Sequence, residues 1–284
     1  MLSLSKVIIM KGTKNKGFEQ YAKEKIFKEY NYLKQIIDNN PLYKDRLVNK
    51  NEFCRYSDIR TYKDNTVSIN TKHQYINASW INIPTPNFFI ATQGPLESTI
   101  EDFWDMCFKY EVNVIIMICS LKENNKEKCA KYWEGYFDTY NILQTTEKPD
   151  DGLFLRQIQI KNMQNSNIKN ILQLQLTTWD DHTAPINNYN RIIKIINFID
   201  KSKKNGPVVV HCSAGVGRTG TFISIYNLYK EIMEQINDKN QIRISFSIMN
   251  TVKKLKELRL YSVENEKQYY FLYEFINILL KEKN

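Results

Sequence analysis

Histidine is scarce in this chain: only His73, His182 and His211 occur, and they are too scattered to suggest a metal site. No cofactor is implied. Long apolar runs are missing as well, since no stretch approaches the roughly 20 residues of a membrane-spanning helix. The opening Met1–Met10 is apolar but short and interrupted by Lys6, so it does not read as a signal peptide. The five cysteines, Cys54, Cys107, Cys119, Cys129 and Cys212, are odd in number and spaced for neither a disulfide framework nor zinc. A reducing, cytoplasmic setting is the expectation, and it suits a free reactive thiol. Repeats, Gly/Ser linkers and low-complexity tracts are absent. No basic stripe interleaved with aromatics argues for nucleic acid, and oligomeric state leaves no mark on the sequence.

What is present is enough for a core. The chain has 284 residues, 42% of them apolar and 25% charged, with a net charge of +9. A basic surface of this kind steers anionic partners. The lysine groups Lys201, Lys203, Lys204 and Lys253, Lys254, Lys256 read as solvated faces. Helical apolar spacing marks residues 18–38, and Ser98–Glu101 has the form of a capping box before an amphipathic run. Val112–Ser120 is continuously apolar and suits a buried strand, while Thr251–Arg259 and Lys267–Lys281 read as closing helices. Alternating strands and helices predict an α/β fold: one domain with a twisted mixed β-sheet flanked by helices on both faces.

The most informative stretch is Gly206–Asn227. Pro207–His211 reads as a buried strand, apolar spacing turns helical from Arg218, and a glycine-punctuated turn lies between. A tight loop entering a helix aims successive main-chain N–H groups at one point and forms an anion nest. Gly215 and Gly217 allow the curl, leaving Cys212, Ser213, Ala214, Gly215, Val216, Gly217 and Arg218 around the anion. Cys212 faces those dipoles, which favour its thiolate. Arg218 presents a planar fork that matches two phosphate oxygens, and Thr219 offers a hydroxyl to the sulfur. A structural turn around a core cysteine, or a plain anion loop, would not require Cys, Arg and the glycines together.

His211-Cys212-x5-Arg218-Thr219-Gly220 is the signature of cysteine-based phosphatases, and the chain resembles the classical protein tyrosine phosphatases. The similarity runs from about Phe18 to Leu280. It is carried by Arg55–Ile59, Tyr75–Ser79, Ile90–Pro95, Glu101–Trp104, Lys128-Cys129 with Tyr132-Trp133, and Trp179–Pro185. The sequon Asn77-Ala78-Ser79 is then a framework motif, not a sugar acceptor. Residues 1–17 become an N-terminal extension and 18–284 the catalytic domain. The resemblance implies hydrolysis of phosphotyrosine in proteins through a phosphocysteine intermediate. Asp181, which precedes Cys212 in chain order, would be the general acid, in a mobile loop with Trp179 as hinge anchor and His182 as pocket wall. Tyr56 would set pocket depth and Asp58 would accept a substrate backbone hydrogen bond. Glu123 would orient Arg218, Lys128 would neighbour the acid loop, and His211 would pack beneath the nucleophile's loop. Gln268 would assist phosphocysteine hydrolysis.

Three positions depart from the family pattern. Asp180 stands where proline is usual, with Thr183 for glycine, and a second carboxylate there is expected to raise the acid's pKa and loosen the loop. Glu264 replaces the first of two glutamines, and its charge is expected to slow the second step. These departures are the only support for a phosphotyrosine-binding module without turnover. A dual-specificity or phosphoinositide phosphatase would need a shallower or more basic pocket.

Overall fold

The computed structural model describes residues 7–10, 23–49, 51–83, 88–202 and 206–283. Strand β1 (Val7–Met10) precedes helix α1 (Lys23–Leu33), which continues through a π-helical turn at Lys34–Asp38, and the short helix α2 (Pro41–Lys44). Then come β2 (Ala78–Ile81), β3 (Phe89–Thr92), α3 (Ile100–Lys109) and β4 (Val114–Met117). The hairpin of β5 (Lys122–Glu123) and β6 (Lys126–Glu127) leads to β7 (Gly135–Tyr136). A long antiparallel meander follows: β8 (Tyr140–Asp150), β9 (Leu153–Asn162) and β10 (Ile168–Leu176). Helix α4 (Tyr189–Lys201), β11 (Val208–His211), α5 (Gly217–Asn237), β12 (Arg243–Phe246), α6 (Ile248–Leu258) and α7 (Glu266–Lys283) complete the chain.

Eight strands form one mixed sheet in the order β2-β3-β11-β4-β10-β9-β8-β7, with β3, β11, β4 and β10 parallel. The central strands β3, β4 and β11 are buried along their whole lengths, as continuous apolar runs such as Val208–Val210 require. Strand parity separates the two faces. Phe89, in register with Val208, stacks edge-on to Tyr226 of α5, whereas His211 points oppositely, toward Phe103 of α3. Helices therefore cover both faces, as the alternating pattern predicts.

Some boundaries differ from the sequence reading. Residues 7–10, within the stretch read as an extension, pair antiparallel with β12, Val7 opposite Phe246. Ser98 does not cap α3. Residues Glu97–Thr99 form a 3-10 turn in which the Thr99 hydroxyl accepts the Leu96 N–H at 3.0 Å. The Glu101 carboxylate instead accepts the Thr139 N–H at 2.8 Å, so a tertiary donor displaces the local one. Phe18–Ala22, Lys203 and Lys204 lie outside the described residues. No helix among the described residues is long and apolar enough to cross a membrane.

Helix α6 is tied to the N-terminal segment by a desolvated ion pair. Lys256 Nζ lies 2.6 Å from Asp38 Oδ2, with side-chain exposures of 0% and 4%. Burial pulls the Lys256 ammonium below its ordinary value, against the opposing pull of Asp38. Removing one partner leaves a buried charge alone, which costs about 3–5 kcal/mol, whereas replacing both by apolar groups is nearly neutral. Urea unfolding of Asp38→Ala should therefore show a loss of about 3 kcal/mol or more, and Asp38→Leu with Lys256→Met should recover most of it.

Candidate active site

Cys212 leaves the C-terminal end of β11 at the centre of the parallel strands, where open α/β sheets present their ligand crevices. It is 3% exposed, and the hydrogen bond that reaches its sulfur comes from the Gly215 N–H at 3.3 Å. Gly215 has φ +72°, and a Cβ there would stand 2.1 Å from the Thr92 carbonyl oxygen, so no other residue fits. Helix α5 starts at Gly217, and its first-turn N–H groups have no intrahelical acceptor.

The curl is held from outside by Arg259, just beyond α6. Its Nε donates to the Gly215 carbonyl at 2.7 Å and one Nη to the Ala214 carbonyl at 3.2 Å. The same guanidinium donates to Ser79 Oγ at 3.0 Å and Asn77 Oδ1 at 2.9 Å. With the carbonyls turned outward, the amides face the pocket. Burial lowers Arg259 to about 10. Sequence reasoning missed this residue, although the Asn77-Ala78-Ser79 framework motif was half of the signal. Beneath the loop, His211 Nδ1 lies 3.0 Å from the Cys212 carbonyl and Nε2 lies 2.7 Å from the Tyr132 hydroxyl. Tyr132 also accepts from Gln173 at 2.6 Å, a support that no local motif announces.

The pocket has a volume of about 320 Å³. Tyr56, Asp58, Lys128, Asp181, His182, Cys212, Ser213, Ala214, Gly217, Arg218 and Glu264 all line it, joined by Lys126, which the sequence reading had not singled out. Tyr56 forms one wall, its hydroxyl 3.0 Å from Ser213 Oγ. Arg218 is 1% exposed; one Nη donates to Glu123 Oε1 at 2.7 Å and to the Trp179 carbonyl at 2.9 Å. Burial works against the Arg218 charge, but Cys212 and then Glu123 outweigh it and hold the guanidinium above its ordinary value. Arg218 Nε and Nη2, Thr219 Oγ1 and Gln268 Nε2 are buried without a hydrogen-bond partner among the described residues. Val216 is fully buried at the helix start, and Gln268 Oε1 accepts the Glu264 N–H at 3.0 Å.

The acid loop lies over this pocket. Asp181 Oδ2 is 2.5 Å from Lys128 Nζ, and Oδ1 is 3.1 Å from Arg218 Nη2, an ion pair without hydrogen-bond alignment. Burial pushes the Asp181 carboxyl up, but Arg218, Lys128 and His182 together hold it below the usual carboxylate range. The expectation that Asp180 raises it is corrected here: Asp180 is exposed, and water screens it while three cationic groups sit close by. Trp179 anchors the loop, buried, with its indole N–H donating to the Thr183 carbonyl at 3.0 Å. The Thr183 hydroxyl donates to the Asp180 carbonyl at 2.7 Å, a staple that the usual glycine could not supply.

Glu264 lies beside the nucleophile's loop: its Oε2 would be 2.7 Å from a Cβ built on Gly217. Burial pushes its carboxyl up, helped by Asp181 and Asp58 against His182 and Arg218. Tyr30 of α1 donates its hydroxyl to the Glu264 carbonyl at 2.5 Å and so ties the N-terminal helix to the site. Gly215, Val216, Thr219, Gln268, Glu123, Trp179 and His211 do not line the cavity itself, and stand behind or beside the residues that do. No group of three His, Cys, Asp or Glu side chains among the described residues could hold a metal.

A sequence model of the protein-tyrosine phosphatase family matches residues 50–277. Among curated relatives, tyrosine-protein phosphatase 2 of Dictyostelium discoideum is 36% identical over 222 residues, 75% of this chain and 58% of that protein. Human tyrosine-protein phosphatase non-receptor type 20 is 35% identical over 244 residues, 80% of this chain and 54% of that protein. The chain thus spans a little over half the length of these relatives. The catalytic domain of the human non-receptor type 18 enzyme superposes with a TM-score of 0.74 at 24% identity, over 90% of this chain and 96% of that one, which shows the shared fold. This chain belongs to the protein-tyrosine phosphatase family.

Proposed function

We propose that this chain hydrolyses phosphotyrosine in proteins, with Cys212 as nucleophile and Asp181 as general acid. One observation carries the reading. Arg218 Nε and Nη2, Thr219 Oγ1 and Gln268 Nε2 are buried donors without partners among the described residues. Cys212 lies in the same pocket. Buried donors are otherwise expensive to leave unpaired, and a tetrahedral dianion beside Cys212 would satisfy the two of Arg218. A solved relative, the non-receptor type 18 enzyme, is described in complex with HER2 phosphopeptides, which supports the substrate class.

In the first step the Cys212 sulfur bonds to phosphorus while the bond from phosphorus to the tyrosine oxygen breaks. Asp181 gives its proton to that oxygen, so a phenol and not a phenolate departs. Charge spreading over the three equatorial oxygens meets donors already oriented. In the second step water attacks phosphorus, the bond to sulfur breaks, and Asp181 takes up the water's proton. The Thr219 hydroxyl is available to the departing thiolate, and Gln268 to the water. Substrate binding also prepares the acid. A phosphate on Arg218 competes with Asp181 for the guanidinium and adds negative charge nearby, and both effects raise the acid's pKa toward its working range.

Turnover of an aryl phosphate should vanish in Cys212→Ser, and Asp181→Asn should lower kcat by about 10²–10⁴-fold. Hydrolysis of phosphoserine and phosphotyrosine peptides at equal rates would refute the reading of Tyr56 as the wall that sets pocket depth. Tyr56→Ala should cost phosphotyrosine peptides most.

The pH profile gives a signed test. Activity requires protonated Asp181, so kcat/KM falls as pH rises through its pKa in the free enzyme. Lys128→Met removes a cation that lowers that pKa, so the descending limb should move to higher pH. Asp180→Pro should leave the limb in place, because Asp180 is exposed.

A further inference from the structure

His182 stands between two carboxylates that belong to different segments of the chain. Its Nε2 lies 3.6 Å from Asp181 Oδ2 on its own loop, and its Nδ1 lies 3.5 Å from Glu264 Oε2 on the turn before α7. The Asn265 side-chain amide donates to the His182 main-chain carbonyl at 3.4 Å, a second contact between the two segments. His182 itself has φ +55°, a left-handed conformation that a residue with a Cβ keeps only when its surroundings hold it. The charged and titratable groups that face Glu264 are His182, Asp181, Arg218 and Asp58. Arg218 is already engaged by Glu123 and by the Trp179 carbonyl. Among the described residues, His182 supplies the side-chain nitrogen that pairs with Glu264 within 4.0 Å, and it carries a positive charge only when protonated.

Glu264 occupies a costly position. Its Oε2 abuts Gly217 at the N-terminus of α5, the end whose amides would cradle the phosphoryl group. An unpaired carboxylate there opposes a phosphoryl dianion by charge, which is why the sequence alone implies a slow second step. The structure places an imidazole 3.5 Å from that carboxylate, where a shared proton would supply the counter-charge. We propose that closure of the acid loop carries His182 onto Glu264, neutralising that carboxylate while water attacks phosphocysteine. The proposal rests on the hydrolytic reading above and adds His182 to it as a positioning residue that acts through Glu264. One proton shared by imidazole and carboxylate suffices, since the pair then carries no net charge. Loop closure therefore delivers two things together: Asp181 to the reacting oxygen, and compensation to Glu264.

The test is a double-mutant cycle read on the second step. Enzyme is mixed with a ³²P-labelled phosphotyrosine peptide, chased with unlabelled peptide and quenched in acid, so that formation and decay of labelled protein are followed separately. His182→Gln, which keeps shape and hydrogen bonding but not the charge, should slow decay by about tenfold or more, and His182→Ala likewise. Formation also depends on His182, which lines the pocket and neighbours Asp181, so it is read separately and the proposal is judged on decay. Adding Glu264→Gln to either variant should return decay to within about threefold of wild type, because no carboxylate remains to be compensated. Equal slowing whether or not Glu264→Gln is present, or no slowing at all, would overturn the proposal. Absence of any label that depends on Cys212 would remove the hydrolytic reading itself, and the proposal with it.

Discussion

Everything at this site depends on which way one short stretch of main chain faces. Between Cys212 and Gly217 the amides must look into the pocket and the carbonyls away from it, an arrangement opposed by the repulsion of aligned N–H dipoles. Arg259 supplies the opposing force by gathering the Gly215 and Ala214 carbonyls on its far side. Because that guanidinium also holds Asn77 and Ser79, the loop is fastened to β2 as well as to the end of α6. Its cost shows in its own acidity, since burial brings an arginine down to about 10. A fully desolvated arginine is tolerated here because each of its contacts is a directed hydrogen bond.

Arg218 obeys the opposite logic. It is as deeply buried, yet two of its donors have no hydrogen-bond partner among the described residues. Glu123 and the Trp179 carbonyl take one Nη and leave Nε and the other Nη2 for a ligand. The loop carrying Asp181 is thus fastened by the residue that would hold the substrate. A phosphate arriving at Arg218 alters the charge around Asp181 without disturbing the Trp179 contact. Were Asp181 the acid, binding and its activation would be one event, since a phosphate on Arg218 would offset the cation that holds this carboxyl below its usual range.

What could be read from the sequence was what is contiguous in it. Strand, curl and helix follow one another in Gly206–Asn227, so the elements and the role of each residue emerge from a single window. The buried strands β4 and β11 were legible for the same reason, each being a short run rich in β-branched residues. The meander of β8, β9 and β10 was not. β8 is mostly exposed beyond Ile142, with Leu143, Thr145, Thr146 and Glu147 facing water, so it lacks the apolar alternation that betrays a strand. Arg259 and Gln173 escaped because their partners lie far away in the chain: Gly215 is 44 positions from Arg259, and Tyr132 is 41 from Gln173. Ser98 misled for the complementary reason, a good local pattern overridden by a tertiary donor at Thr139.

The departures from the family pattern gain sense when taken as a group in space. Asp180 and Thr183 share one loop with His182, and His182 meets Glu264 where that loop touches the turn before α7. Thr183 closes the loop's turn with its own hydroxyl, doing by hydrogen bonding what proline and glycine do by restricted and permissive torsions. His182 meets the carboxylate that Glu264 introduces. A single substitution among them would leave either an unbraced turn or an uncompensated charge beside the phosphate cradle.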